Sequence, residues 1–105
     1  MGYRSEIYIK MLPKYEFKMH TLLAHLGFTW IKLVKKDSDY LYYRGSGLKW
    51  YNSYEDITAI NSLVEEVEGC LVAIGEDGAH MIVGEPDDVG LEVYTETIIE
   101  GFYGE

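Results

Sequence analysis

The apolar residues of this chain recur with a period of two, then of 3.6, then of two again, and the helical period returns once more before the chain ends. Ser5 to Met11 sets Ile7, Ile9 and Met11 on one side and Glu6, Tyr8 and Lys10 on the other, which is the alternation of a half-buried strand. Pro13 suits a first helical turn and Gly27 a C-terminal cap, with Tyr15, Met19, Leu22, Leu23 and Leu26 sharing one helical face between them. Phe28 to Lys35 alternates again, Ile31 and Leu33 against Trp30 and Lys32. The polar turn Lys36 to Asp39 then leads into a β-rich run, Tyr40 to Arg44, so the pair reads as a hairpin.

Gly45, Ser46 and Gly47 read as a break before a short extended stretch, Leu48 to Tyr51. A second helix is expected over about residues 54 to 67, with Ser53 as N-cap, Asp56 completing an approximate capping box, and Gly69 as the stop. Its buried face is Ile57, Ile60, Leu63, Val64 and Val67. Cys70 to Ile74 and His80 to Val83 flank a Gly75 to Ala79 turn and form a second hairpin. Glu85 to Gly90 is a loop, Leu91 to Thr97 a weakly alternating last strand, and Ile98 to Glu105 is too short to classify.

This order, β-α-β-β-α-β, predicts an α+β fold of the ferredoxin-like, split βαβ kind: an antiparallel sheet, two helices on one face, and an extra C-terminal hairpin. The expected organisation is a single domain over residues 1–105, a length that can bury its own core. A single cysteine, Cys70, leaves no internal disulfide or multi-cysteine zinc site to consider. Apolar runs such as Leu71 to Ile74 fall far short of the roughly 20 residues that cross a bilayer, and Met1 to Arg4 opens no secretory h-region. A cytoplasmic protein with no membrane partner is therefore expected.

Charge is segregated along the chain. Residues 1–50 hold all nine Lys and Arg against four carboxylates, a net of +5; residues 51–105 hold fourteen carboxylates and no Lys or Arg, a net of −14; the whole stands at −9. The acids form three groups: Glu65, Glu66 and Glu68; Glu76 and Asp77; Glu85, Asp87 and Asp88. A surface shaped only by solubility mixes the two signs, and acids at a helix C-terminus oppose its dipole. These eight residues are the candidate acidic binding surface, and their partner would carry a basic, nucleic-acid-binding surface.

The chain also holds ten tyrosines and two tryptophans. On the strand registers above, Tyr8 and Trp30 point away from the aliphatic face and are candidate aromatic anchors. Two arrangements stay open: these rings line an exposed sheet face, or they form a second small core under the C-terminal strands. An exposed face with Lys32 and Arg44 beside Tyr8 and Trp30 would suit RNA or single strands, but the RNA-recognition pattern is absent and the net charge of −9 repels nucleic acid. Pairing of basic and acidic halves between copies would give a homodimer.

Catalytic signatures are missing. There is no nucleophile elbow, phosphate-binding loop, dinucleotide fingerprint or zinc-protease motif; Gly45-Ser46-Gly47 reads as a turn, and Cys70 opens an apolar strand. Asp87, Asp88 and Glu92 lack the calcium-loop spacing, and His20, His25 and His80 do not share a helical face or a strand pair. No enzyme, cofactor or metal is expected.

Gly2-Tyr3-Arg4-Ser5-Glu6, Leu48-Lys49-Trp50-Tyr51 and Ile74-Gly75-Glu76-Asp77, in that order, resemble a pattern in small acidic proteins encoded by bacteriophages and prophages. The resemblance covers residues 2–77 and carries no catalytic residues. It implies action inside a bacterial host cell by binding and inhibiting a host nucleic-acid-handling protein, an anti-defence role of the anti-CRISPR or anti-restriction kind.

Overall fold

Ser5–Met11 forms the strand its alternation dictates, β1, and every other strand of the main sheet is placed by it. The computed structural model describes residues 4–50, 54–95 and 98–100. After β1 come α1 (Glu16–Leu26), β2 (Lys32–Lys36), β3 (Leu41–Leu48), α2 (Glu55–Glu66), β4 (Cys70–Gly75), β5 (His80–Gly84), β6 (Glu92–Thr95) and β7 (Ile98–Glu100). The main sheet has the order β2-β3-β1-β4-β5, with every neighbouring pair antiparallel. Ile7 thus lies between Gly45 and Ala73, and Ile9 between Tyr43 and Leu71.

The expected α+β class with an antiparallel sheet and two helices is what the chain forms. The sheet is wider than a simple four-stranded one, because β5 extends it beyond β4. The strand that the second expected hairpin adds is β5, and β6 pairs with β7 in a two-stranded sheet of its own, whose second strand falls in the stretch the sequence leaves unclassified.

Both helices cover the aliphatic side of the sheet. Ile7, Ile9 and Met11 of β1, Leu41 and Tyr43 of β3, and Leu71 and Ala73 of β4 meet Met19 and Leu23 of α1 and Ile57, Ile60, Leu63 and Val64 of α2. Each large aliphatic side chain so buried contributes about 1.5–3 kcal/mol. The helical period sets this face, as the sequence pattern predicts.

Both helices end in the same geometry. After α1, Gly27 N–H donates to the Ala24 carbonyl and Phe28 N–H to the Leu23 carbonyl, with Gly27 at φ 65°. After α2, Glu68 N–H donates to Glu65 and Gly69 N–H to Val64, so Glu68, at φ 58°, occupies the position that glycine holds in α1. The expected stop at Gly69 is therefore displaced by one residue. Ser53, the expected N-cap of α2, lies outside the described residues. Tyr54 precedes the helix in an extended conformation without a side-chain cap, and the Asp56 carboxylate accepts the Ile57 amide.

Two strand boundaries differ from expectation for physical reasons. β2 begins at Lys32 rather than Phe28, and Trp30 and Ile31 lie in the connection, although Ile31 is still buried. β3 continues through Gly45-Ser46-Gly47 to Leu48 instead of breaking. A bulge absorbs the extra residue opposite β1, Gly47 adopts φ 63°, and the Glu6 carboxylate replaces the lost ladder contact by accepting Gly47 N–H at 2.9 Å and Ser46 Oγ at 3.1 Å.

Candidate functional site

The face of the sheet away from the helices decides between the two readings of the aromatic residues. Val89 and Leu91, each 1 % exposed, return over it and pack with Tyr42, Cys70, Val72 and Ile74, with Tyr8 and Tyr40 against them. A second small core is the result. Tyr8 is half-buried in it, with the Arg44 guanidinium 4.1 Å from its ring centroid. Lys10, only 3 % exposed, lies 4.2 Å from the Tyr40 ring centroid. Burial lowers the pKa of Lys10, and Asp37 opposes that shift.

Arg44 is likewise committed inside the protein. Its guanidinium donates to the Glu6 carboxylate at 2.8 Å and to the Tyr8 hydroxyl at 3.1 Å. Burial raises the Glu6 pKa, but the hydrogen bonds from Arg44, Gly47 and Ser46 outweigh it and hold the carboxyl below its ordinary value. Tyr8, Trp30, Lys32 and Arg44 therefore do not form one open platform for nucleic acid.

Trp30 is 66 % exposed and belongs to a different place. With Tyr54 and Phe28 it walls a pocket of about 410 Å³ whose other lining includes Arg4, Lys49 and Asp56. The pocket sits at the N-terminal end of α2, where backbone N–H groups favour anions.

The structure divides the acidic candidates. Glu65, Glu68 and Glu85, all exposed, line one trough of about 390 Å³ with Gly69, Ile82 and Gly84, and no Lys or Arg borders it. Glu66 points elsewhere, to an ion pair with Lys18 of α1 beside an apolar groove that includes Phe17, Leu22 and Leu63. Glu76 and Asp77 are exposed in the β4–β5 turn; the Glu76 carboxylate accepts the Arg4 amide and Asp77 accepts the Ala79 amide. Asp87 and Asp88 fall in the 3-10 turn Pro86–Val89, and their side chains, with that of Glu92, lie outside what is described.

Comparison with protein-family models, curated proteins and solved structures found no match. The site is thus read from its own chemistry. Among the described residues no group of three or more His, Cys, Asp or Glu is placed to hold a metal ion, and no helix is long and apolar enough to cross a membrane. His20, His25 and His80 are all exposed, and Cys70 is buried.

From Asp56 to Glu65 the rise of α2 is about 14 Å, so the Trp30 pocket and the acidic trough stand at opposite ends of the helix. Acidic attraction and aromatic anchoring do not share one surface. Ile82, 44 % exposed, borders the acidic trough from β5 in the alternation set opposite Met81 and Val83, and sequence reasoning missed it. Its position in a short strand gave no sign of an edge.

Glu68 adds a second signal at the trough. A left-handed backbone costs a non-glycine residue about 1–2 kcal/mol, and a carboxylate there also opposes the α2 dipole. Glu68→Gly is expected to raise stability by about 0.5–1 kcal/mol, since glycine gains in the folded state but loses more chain entropy. Urea unfolding checks this; an unchanged or lower midpoint would mean that the left-handed position costs Glu68 no more than the chain entropy that glycine loses there.

Proposed function

We propose that this is a non-catalytic binding protein whose acidic trough docks on the basic, nucleic-acid-binding surface of a protein partner and blocks it. One observation carries the reading: Glu65, Glu68 and Glu85, from two separate stretches of sequence, converge on an exposed trough with no Lys or Arg at its border. The presence of a carboxylate at the left-handed position of Glu68, which does not serve helix stability, supports it. The phage-like motifs favour a host protein in the bacterial cytoplasm as the partner, with an anti-defence outcome. We further propose that β2-β3-β1-β4 with α1 and α2 is a ferredoxin-like core to which β5 is appended; the antiparallel order of those four strands supports this.

Association with a partner isolated from bacterial lysate on the full chain is expected to weaken about tenfold or more between low and high salt, and to be lost when Glu65, Glu68 and Glu85 are together reversed to Lys. Reversal of Glu66 alone, which faces Lys18, should have a smaller effect. Salt-independent binding, or binding indifferent to the triple reversal, contradicts the reading. Calorimetry at several salt concentrations distinguishes these results.

A second reading draws on the Trp30 pocket. Two exposed aromatic rings beside Arg4 and Lys49 suit the stacking of a base with its phosphate at the cations, so a single-stranded oligonucleotide is a rival ligand. Under this reading a short oligonucleotide quenches Trp30 fluorescence at low salt and Trp30→Ala weakens binding about tenfold. Unchanged fluorescence across the titration removes it.

A further inference from the structure

The two edges of the main sheet are built differently. β2, at one edge, is Lys32-Leu33-Val34-Lys35-Lys36, and its three exposed lysines are the kind of charge that keeps another strand from adding. β5, at the other edge, is His80-Met81-Ile82-Val83-Gly84 and holds no Lys, Arg, Asp or Glu. Its strand neighbour is β4, and among the described residues no strand pairs with its outer side. The acidic trough lies at the C-terminal end of this open edge, since Gly84 and Glu85 line it.

We infer that β5 is a strand-addition site, and that its occupant is an extended, Lys- or Arg-bearing segment of a partner protein. This rests on the acidic-docking reading above and specifies its geometry. Main-chain groups of the added segment hydrogen-bond the free side of β5, as in other β-augmentation complexes. Met81 and Val83 pack toward the helix-covered core, whereas Ile82 lies in the opposite set of the alternation. An added strand therefore places alternate side chains on Ile82 and on the side of the sheet that carries α2. An apolar residue suits Ile82, and a cation suits the Glu65 and Glu68 carboxylates. The recognised pattern is basic residues alternating with apolar ones. A second copy pairing β5 to β5 meets repulsion between two chains of net charge −9.

The test uses the full chain and a blocked eight-residue peptide that alternates lysine with valine and threonine, together with the same peptide N-methylated at alternate backbone amides. Binding is followed by NMR titration, and amide hydrogen exchange is read along β5. The lysine peptide is expected to bind and to slow exchange at the outward-facing amides of β5, while N-methylation weakens it about tenfold or more. Ile82→Lys, a change at an exposed side chain, should weaken it similarly. Equal binding of the N-methylated peptide with no protection in β5 overturns strand addition and leaves acidic docking standing. Binding that survives reversal of Glu65, Glu68 and Glu85 but not N-methylation keeps strand addition and removes the acidic reading. No binding of the lysine peptide, or salt-dependent oligomers of the chain itself that vanish in Ile82→Lys, overturns the inference.

Discussion

β1 takes a strand on each side, and the rest of the molecule depends on that placement. Its partners come from opposite directions in sequence: β3 follows the first helix, and β4 follows the second. Because β1 is central, both of its faces must be covered. Ile7, Ile9 and Met11 are fully buried on the helix side, and Lys10 is nearly so on the other. A lysine at the centre of a sheet costs desolvation, and the tyrosine rings beside it offset part of that cost.

The same placement turns a pattern along the chain into a pattern in space. With β1 in the middle, β2 and β3 from the first half extend the sheet one way, and β4 and β5 from the second half extend it the other. Lys32, Lys35 and Lys36 end at one edge, and Glu65, Glu68 and Glu85 stand by the other. Ion pairs within the chain engage part of the basic half: Arg44 with Glu6, Lys18 with Glu66, Lys36 with Glu16. The acidic trough has no such countercharge at its border, and this is why it, rather than the basic half, is the docking surface proposed for the protein.

Local chemistry made much of this legible in the sequence. Gly27 ends α1 because a left-handed residue is needed there, and the inward faces of both helices follow from their period. What depends on distant contacts was hidden. The cover over Tyr8 arrives with Val89 and Leu91, far along the chain, and nothing near Tyr8 announces it. Glu68 in the glycine position defeats a rule based on residue type. The three glutamates of the trough are split in sequence, with Glu66 diverted to Lys18, so only the packing of α2 beside β5 reveals which acids belong together.

With lysines at one edge of the sheet and glutamates at the other, the two edges carry opposite fields. Paramagnetic relaxation of backbone amides by a small cationic nitroxide and by its anionic counterpart measures that field residue by residue in the free protein. The account predicts stronger relaxation by the cation at Glu65 to Glu68 and Met81 to Glu85, and by the anion at Lys32 to Lys36. A cation preference of equal size along both edges would contradict it.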